Sequence, residues 1–258
     1  MSRDLTVLKI GGSVLEAGGA GEAILDRVAA AWEAGERLLV VHGGGAELSR
    51  WLARLGIESR FRDGLRITTP ETLPVALMVL GGLINRRLVE GLLRRGCPAV
   101  GLTGADGAGT VGLPADGPAL GAVGRIGSVN APFYSALIAE RRLPVVASLA
   151  WNPESGWLNV NADLMAAALA AGLRARRLHL MTDTPGVLAH GGVPAPLLTL
   201  DELDRLVAEG IATNGMLPKL SACRAALEAR VPEVVILGPG DAGTRVIARH
   251  GAAGEDAR

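Results

Sequence analysis

Lysine is almost absent from this chain. Its 258 residues include only Lys9 and Lys219, against 24 arginines. Wherever a plain positive charge suffices the sequence uses arginine, so the two exceptions need a reason. A guanidinium is a planar fork, whereas an ammonium is a compact charge on a thin stem that can sit against one phosphate oxygen. Both lysines lie near glycine: Lys9 closes an apolar run just ahead of Gly11 and Gly12, and Lys219 follows Asn214, Gly215 and Pro218. The pattern points to phosphate chemistry. The plainer alternative is that both are survivors of a compositional bias.

Other scarcities exclude whole classes. Two cysteines, Cys97 and Cys223, stand far apart without a CxxC, which excludes a disulfide framework or zinc ribbon and fits a reducing cytoplasm. With aromatics at 3%, there is little to stack on bases, which argues against a single-stranded nucleic-acid surface. A formal net charge of zero gives no broad face for nucleic acid or an acidic membrane, so an anion must be met by local charges. No uncharged apolar span reaches the roughly 18 residues of a membrane helix, and Met1 leads into a β-rich run without a signal-peptide core. A soluble cytoplasmic protein is therefore expected. His42, His179, His190 and His250 show no metal-ligand spacing and read as packing or surface residues.

Apolar residues make up 49% of the chain, ample for a buried core. Fully apolar runs at 5–10, 37–41, 99–102, 143–148, 177–181 and 233–237 read as buried strands. They alternate with helical patterns over 20–33, 46–55, 70–95, 131–141, 162–172, 199–209 and 219–230. Buried strands each followed by a helix predict an α/β fold, a three-layer αβα sandwich with a mostly parallel central sheet. Ligands in such sheets sit outside the carboxyl ends of the strands, where this chain places its glycines. The glycine-rich stretch 104–127 reads as a loop or hairpin, because the alternation resumes unchanged after it, and residues 251–258 are expected to fray.

Several motifs carry chemistry. Gly107 to Gly112 spells GxGxxG, but prolines follow where that fingerprint needs a helix, and no P-loop or protein-kinase signature is present. In His42-Gly43-Gly44-Gly45, three glycines after a strand let the backbone approach a ligand and aim amides at an anion, whereas a tight turn alone needs one. Arg66 sits in a short segment between helices and could grip a carboxylate. In Asn159-Val160-Asn161-Ala162-Asp163 alternation puts both asparagines on one side and Asp163 in the first turn of an apolar helix. Helix capping would explain one of these polar residues but hardly three.

Taken in order, Lys9-Ile10-Gly11-Gly12-Ser13, His42-Gly43-Gly44-Gly45, Gly64 to Thr68, Asn159 to Asp163, Thr182 to Leu188 and Gly215 to Lys219 resemble the amino acid kinase family, and within it the acetylglutamate branch. The resemblance covers nearly the whole chain. It implies a single amino acid kinase domain over 1–258, residues 1–175 forming an acceptor lobe with the dimer interface and 176–258 a nucleotide lobe. It makes Lys9 and Lys219 the transition-state stabilisers and Asp163 their organiser. Gly44, Gly45, Arg66, Asn159 and Asn161 would hold N-acetyl-L-glutamate. Gly11, Gly12, Asp183, Thr184, Pro185, Gly186, Val187, Leu188, Ile211, Ala212 and Thr213 would lie along ATP, with Mg²⁺ held by the phosphates and no protein metal site. Relatives often carry a lysine before the aspartate where this chain has Thr103-Gly104-Ala105-Asp106, and Pro218 before Lys219 is also unusual.

The activity so implied is transfer of the ATP γ-phosphoryl group to the γ-carboxylate of N-acetyl-L-glutamate, in arginine biosynthesis. A carboxylate, with an ordinary pKa of about 4.3, is already ionised at neutral pH, so the transfer needs no general base, which suits a chain poor in histidine. Two alternatives remain at this level: the same chemistry on a carrier-protein-linked glutamate or aminoadipate, with Arg60, Arg62, Arg86 and Arg87 as a basic mouth, and an inactive sensor of the same fold. Arginine-inhibited relatives resemble this core with an added N-terminal helix that links dimers into hexamers. This chain enters its first strand at once, so the expectation is a homodimer insensitive to arginine, joined through the helix at 70–95, where Gly81-Gly82 allows close approach.

Overall fold

A computed structural model describes residues 4–12, 20–62, 64–115, 117–182, 184–189, 192–211, 216–238 and 243–248. The expected fraying at 251–258 lies outside them. Six apolar strands form the middle of one sheet: β1 (Leu5–Ile10), β2 (Arg37–His42), β5 (Ala99–Thr103), β8 (Leu143–Ala147), β11 (Arg177–Met181) and β13 (Glu233–Leu237). Two further strands, β12 (Leu197–Thr199) and β14 (Gly243–Ile247), complete the order β12-β14-β13-β11-β1-β2-β8-β5. All pairings are parallel except β13 with β14.

The two-residue period of a strand divides the core between both faces of this sheet. Val7, Leu39 and Val41 point one way and pack against α5 (Ala131–Ala139), α6 (Ala162–Gly172), α7 (Leu200–Ala208) and α8 (Met216–Glu228). Leu8, Ile10, Leu38 and Val40 point the other way, towards α1 (Ala20–Glu33), α2 (Gly45–Arg54), and the helical run through α3 (Thr72–Ala76) and α4 (Asn85–Leu93). This is the expected three-layer sandwich. Lys9 follows the parity of Val7, so its side chain leaves β1 on the α6 side. Because β1 has β2 on one flank and β11 on the other, its carboxyl end is a switch point where the chain connections diverge and leave a crevice.

The hairpin alternative expected for 104–127 is the one present: β6 (Thr110–Pro114) and β7 (Val123–Val129) pair antiparallel, and they close a small barrel with β9 (Leu149–Asn152) and β10 (Gly156–Val160), which sequence reading did not anticipate. Their glycines satisfy packing rather than looping, since a Cβ on Gly124 would meet the Leu158 side chain at 2.8 Å. Helix α8 starts at Met216, three residues earlier than expected, with Pro218 inside its first turn, where a missing N–H costs no intrahelical bond. The helix expected at 70–95 is interrupted by π-helical turns over Leu77–Ile84. By length and composition Thr72–Leu93 could cross a membrane, but Val75, Val79, Leu80, Ile84, Leu88 and Leu92 are buried in the core. It is a core helix.

Candidate active site

At the carboxyl end of β1 the structure gathers the expected acceptor residues with Lys9, Asp163 and Gly12. A cavity there is lined by Lys9, Gly12, Gly43, Gly44, Gly45, Arg66, Asn159, Asn161 and Asp163, with Phe61, Leu65 and Ser148 among its walls. Strand β10 runs straight into Asn161, whose side-chain oxygen accepts from Asp163 N at 2.9 Å and Leu164 N at 3.2 Å. Asn161 is thus the cap of α6, and the capping explanation covers that one residue only. The cap holds Asp163 in the first turn, pointing back towards β1.

Asp163 is 5% exposed and has two ammonium groups on it. Lys9 Nζ lies 2.9 Å from Oδ1 and Lys219 Nζ 3.4 Å from Oδ2. Only the second has hydrogen-bond geometry; Oδ1 is buried without a donor in line, so the contact with Lys9 is charge to charge. Burial pushes the Asp163 pKa up, but Lys9 and then Lys219 pull harder, and the net shift is downward. Lys9 is lowered chiefly by its own burial and also by Lys219, against the opposing attraction of Asp163. The trio sets two ammonium groups against one carboxylate.

A second cation lies across the cavity. Arg66 is 7% exposed, on the short β-hairpin of β3 (Phe61–Arg62) and β4 (Leu65–Arg66). It donates to Gly45 O at 2.7 Å and Ser49 Oγ at 2.8 Å, and also to Ser59 Oγ, while its guanidinium lies 4.5 Å from the centroid of Phe61. Desolvation alone drags its pKa down to about 10. Among the described residues no carboxylate pairs with it. A buried cation without a counterion is costly unless an anion arrives to meet it. Asn159 is tied to the same wall, donating to Thr68 Oγ1 at 3.1 Å, which in turn donates to Arg66 O at 2.9 Å.

The two glycine turns abut. A Cβ on Gly12 would sit 2.9 Å from Gly44 Cα, and one on Gly44 would run into Ile84 at 2.0 Å and Leu80 at 2.9 Å. No side chain fits at either position, so backbone amides face the cavity. Gly11 follows β1 directly but is not among the cavity walls. Thr184, Pro185, Gly186, Val187 and Leu188 follow β11 outside this cavity, where Val187 N donates to Thr244 Oγ1 at 2.8 Å; Ile211 is exposed after α7. Asp183, Ala212 and Thr213 lie outside the described residues. Thr103 to Asp106 form a turn, Asp106 accepting from Thr103 N at 2.6 Å and Oγ1 at 2.7 Å, that Gly104 ties to Leu149 O and to Thr110, and they do not line the cavity. Sequence reading missed Ser49 and Ser59, which carry no motif and meet Arg66 through the fold; Thr68 stands in the Gly64 to Thr68 motif, but its link to Asn159 was not read from it.

The family model for the amino acid kinase family matches residues 4–238. The chain belongs to that family. Among its relatives are the acetylglutamate kinase of Koribacter versatilis (strain Ellin345), 47% identical over 235 residues that cover 90% of this chain and 89% of that one, and the acetylglutamate kinase of Solibacter usitatus (strain Ellin6076), 42% identical over 230 residues and 89% of each. The crystal structure of smu.665 from Streptococcus mutans UA159 superposes with a TM-score of 0.88 at 27% identity, over 96% of this chain and 100% of that one. Giardia carbamate kinase shares the fold at 16% identity, with a TM-score of 0.72 over 96% and 100% of the two chains. For this member of the family, Lys9→Arg and Lys219→Arg should each leave circular dichroism unchanged but lower kcat by on the order of 10²-fold, the loss expected when a donor at the reacting group is misplaced. Near-normal turnover in both would return the lysines to compositional chance.

Proposed function

We propose that this protein is an ATP-dependent carboxyl-group phosphotransferase that phosphorylates the γ-carboxylate of N-acetyl-L-glutamate, in the cytoplasm. The names of its relatives support that acceptor. One observation in the molecule carries the reading: a cavity with the buried Arg66 guanidinium at one end and Lys9 with Asp163 at the other, Lys219 reaching the same carboxylate from behind the lining, an excess of positive charge suited to a small dianion and a polyphosphate.

In this reading Arg66, steadied by Ser49 and Ser59, takes the α-carboxylate of the acceptor, and Asn159 with the Gly44 and Gly45 backbone orients the rest. The γ-carboxylate oxygen then faces the γ-phosphorus. A new C–O–P link forms as the bond from γ-phosphorus to the β,γ-bridging oxygen breaks, and ADP leaves. No proton moves. What the protein supplies is alignment and charge where the transferring oxygens develop it. Lys9 acts at the bridge and the transferring group, Lys219 on the nucleotide side, and Asp163 holds both. The acceptor is taken by residues within 1–175 and the nucleotide by 176–258, along Thr184 to Leu188 and Ile211. The cavity's one carboxylate is committed to ammonium groups. In this reading Mg²⁺ would come in on the nucleotide phosphates, where it would neutralise charge between the β and γ groups.

Comparing ADP release with N-acetylglutamate, glutamate, aspartate and carrier-linked glutamate tests the acceptor; N-acetylglutamate should be strongly preferred, and preference for the carrier-linked substrate would overturn the reading. Arg66→Ala should raise KM for N-acetylglutamate far more than KM for ATP, by the roughly 2–5 kcal/mol lost when a desolvated charge pair is broken. Equal rises in both would remove Arg66 from the acceptor site. The protein is further proposed to be a homodimer joined through Thr72–Leu93, where Met78 is 59% exposed and Gly82 has open space beside it. Light scattering should give twice the chain mass, and a hexamer would contradict this.

A further inference from the structure

His42 ends β2 immediately before the three glycines, is 0% exposed, and is not among the residues lining the cavity. Its two ring nitrogens are nevertheless both engaged: Nε2 lies 3.0 Å from Asn85 Nδ2, and Nδ1 lies 2.9 Å from Gly43 O. The orientation of the Asn85 amide is fixed by groups that can act in one way only. Its nitrogen faces the carbonyls of Val145 at 2.9 Å and Leu102 at 3.3 Å, which can only accept, and its oxygen receives the Arg86 guanidinium, which can only donate. The Asn85 nitrogen has two hydrogens for these two carbonyls and Nε2, so one N–H is shared, but it offers Nε2 nothing to donate to; Gly43 O can only accept, so the ring proton resides on Nδ1 and Nδ1–H donates to it. Burial keeps the ring neutral at physiological pH, holding its pKa down at about 4.

A trans peptide points its C=O and N–H in opposite directions. With the Gly43 carbonyl drawn onto His42, the N–H of the same peptide, which belongs to Gly44, is turned away from the ring. Gly44 lines the cavity beside Lys9, and among the described residues no acceptor meets its N–H. Asn85 follows directly on the π-helical turns, and Ile84 and Leu80 from those turns press on Gly44 itself. One helix thus holds the glycine turn twice, by packing and through the imidazole.

We infer that His42, held in its Nδ1–H form by Asn85, is a positioning residue that fixes the Gly43–Gly44 peptide so that the Gly44 amide donates to the reacting anion. The inference rests on the proposed phosphoryl transfer for its kinetic consequence but not for its tautomer. An Asn side chain at 42 can place its amide nitrogen where Nδ1 stood, whereas a Gln reaches only towards the Nε2 position.

The test therefore compares His42→Asn with His42→Gln, alongside the imidazole ¹⁵N spectrum of the intact protein. The wild-type spectrum at pH 7 should show His42 as the Nδ1–H tautomer. With ATP and N-acetylglutamate, His42→Gln should lose about tenfold or more in kcat with both KM values nearly unchanged, as for a donor felt mainly in the transition state, and His42→Asn should stay within about threefold of wild type. If His42→Gln fails to fold, Asn85→Leu substitutes for it: the ring remains but loses the donor that sets its tautomer, and kcat should fall with KM unchanged. An Nε2–H tautomer, equal losses in the two His42 variants, or a loss confined to KM would overturn the inference. A wild type that leaves N-acetylglutamate untouched would instead reject the acceptor assignment, and the tautomer would still decide the role of His42.

Discussion

One carboxylate holding two buried ammonium groups is the constraint around which the molecule is arranged. Lys9, Asp163 and Lys219 come from β1, α6 and α8, three elements that meet because α6 packs on β1 and α8 packs on α6. Removing one partner of such a buried cluster is expected to cost about 3–5 kcal/mol, since the charges left behind lose their compensation without regaining water. Even intact, the cluster is short of negative charge. That shortage, which in a purely structural core would be a defect, is what makes the crevice a receptor for phosphate.

The same logic extends outward from the trio. Asn161 caps α6 and so sets the angle of Asp163, while Thr68 links Arg66 to Asn159 across the cavity wall. Gly12 and Gly44 lie so close that neither tolerates a side chain, which leaves amides to line the space between the charges. Each cation is also kept out of water, Lys9 most of all, so an arriving anion interacts with it at a lower effective dielectric than at the surface. A site assembled in this way needs little reorganisation when the phosphoryl group passes through it.

How much of this could be read from sequence depended on whether a residue's role is local. Strands such as β1 and β8, largely apolar, announced themselves by composition, and Lys9 stood out because lysine is otherwise so rare. The motifs placed the chain in its family, as the family model bears out. The closure of the 104–127 hairpin into a barrel was hidden because β6 and β7 are short and rich in glycine, and their outer partners β9 and β10 lie farther along the chain. The π-helical turns and the early start of α8 were invisible for a related reason, since helix periodicity says nothing of which hydrogen-bond register packing selects. His42 read as a packing residue, and it is buried; its bonds to Gly43 and Asn85 are long-range facts that no spacing encodes.

The scarcity of lysine that first marks this chain also makes its central claim directly measurable. With the lysine side chains ¹⁵N-labelled, the described cluster contributes the only two ammonium signals, Lys9 and Lys219, apart from the chain terminus. If the buried trio is as described, Lys9 titrates below the ordinary lysine value of about 10.4. Asp163→Asn, by removing the carboxylate that supports its charge, lowers that pKa further, and a non-hydrolysable ATP analogue raises it in the wild type. A Lys9 signal that titrates at the ordinary value and responds to neither the substitution nor the nucleotide would contradict the account.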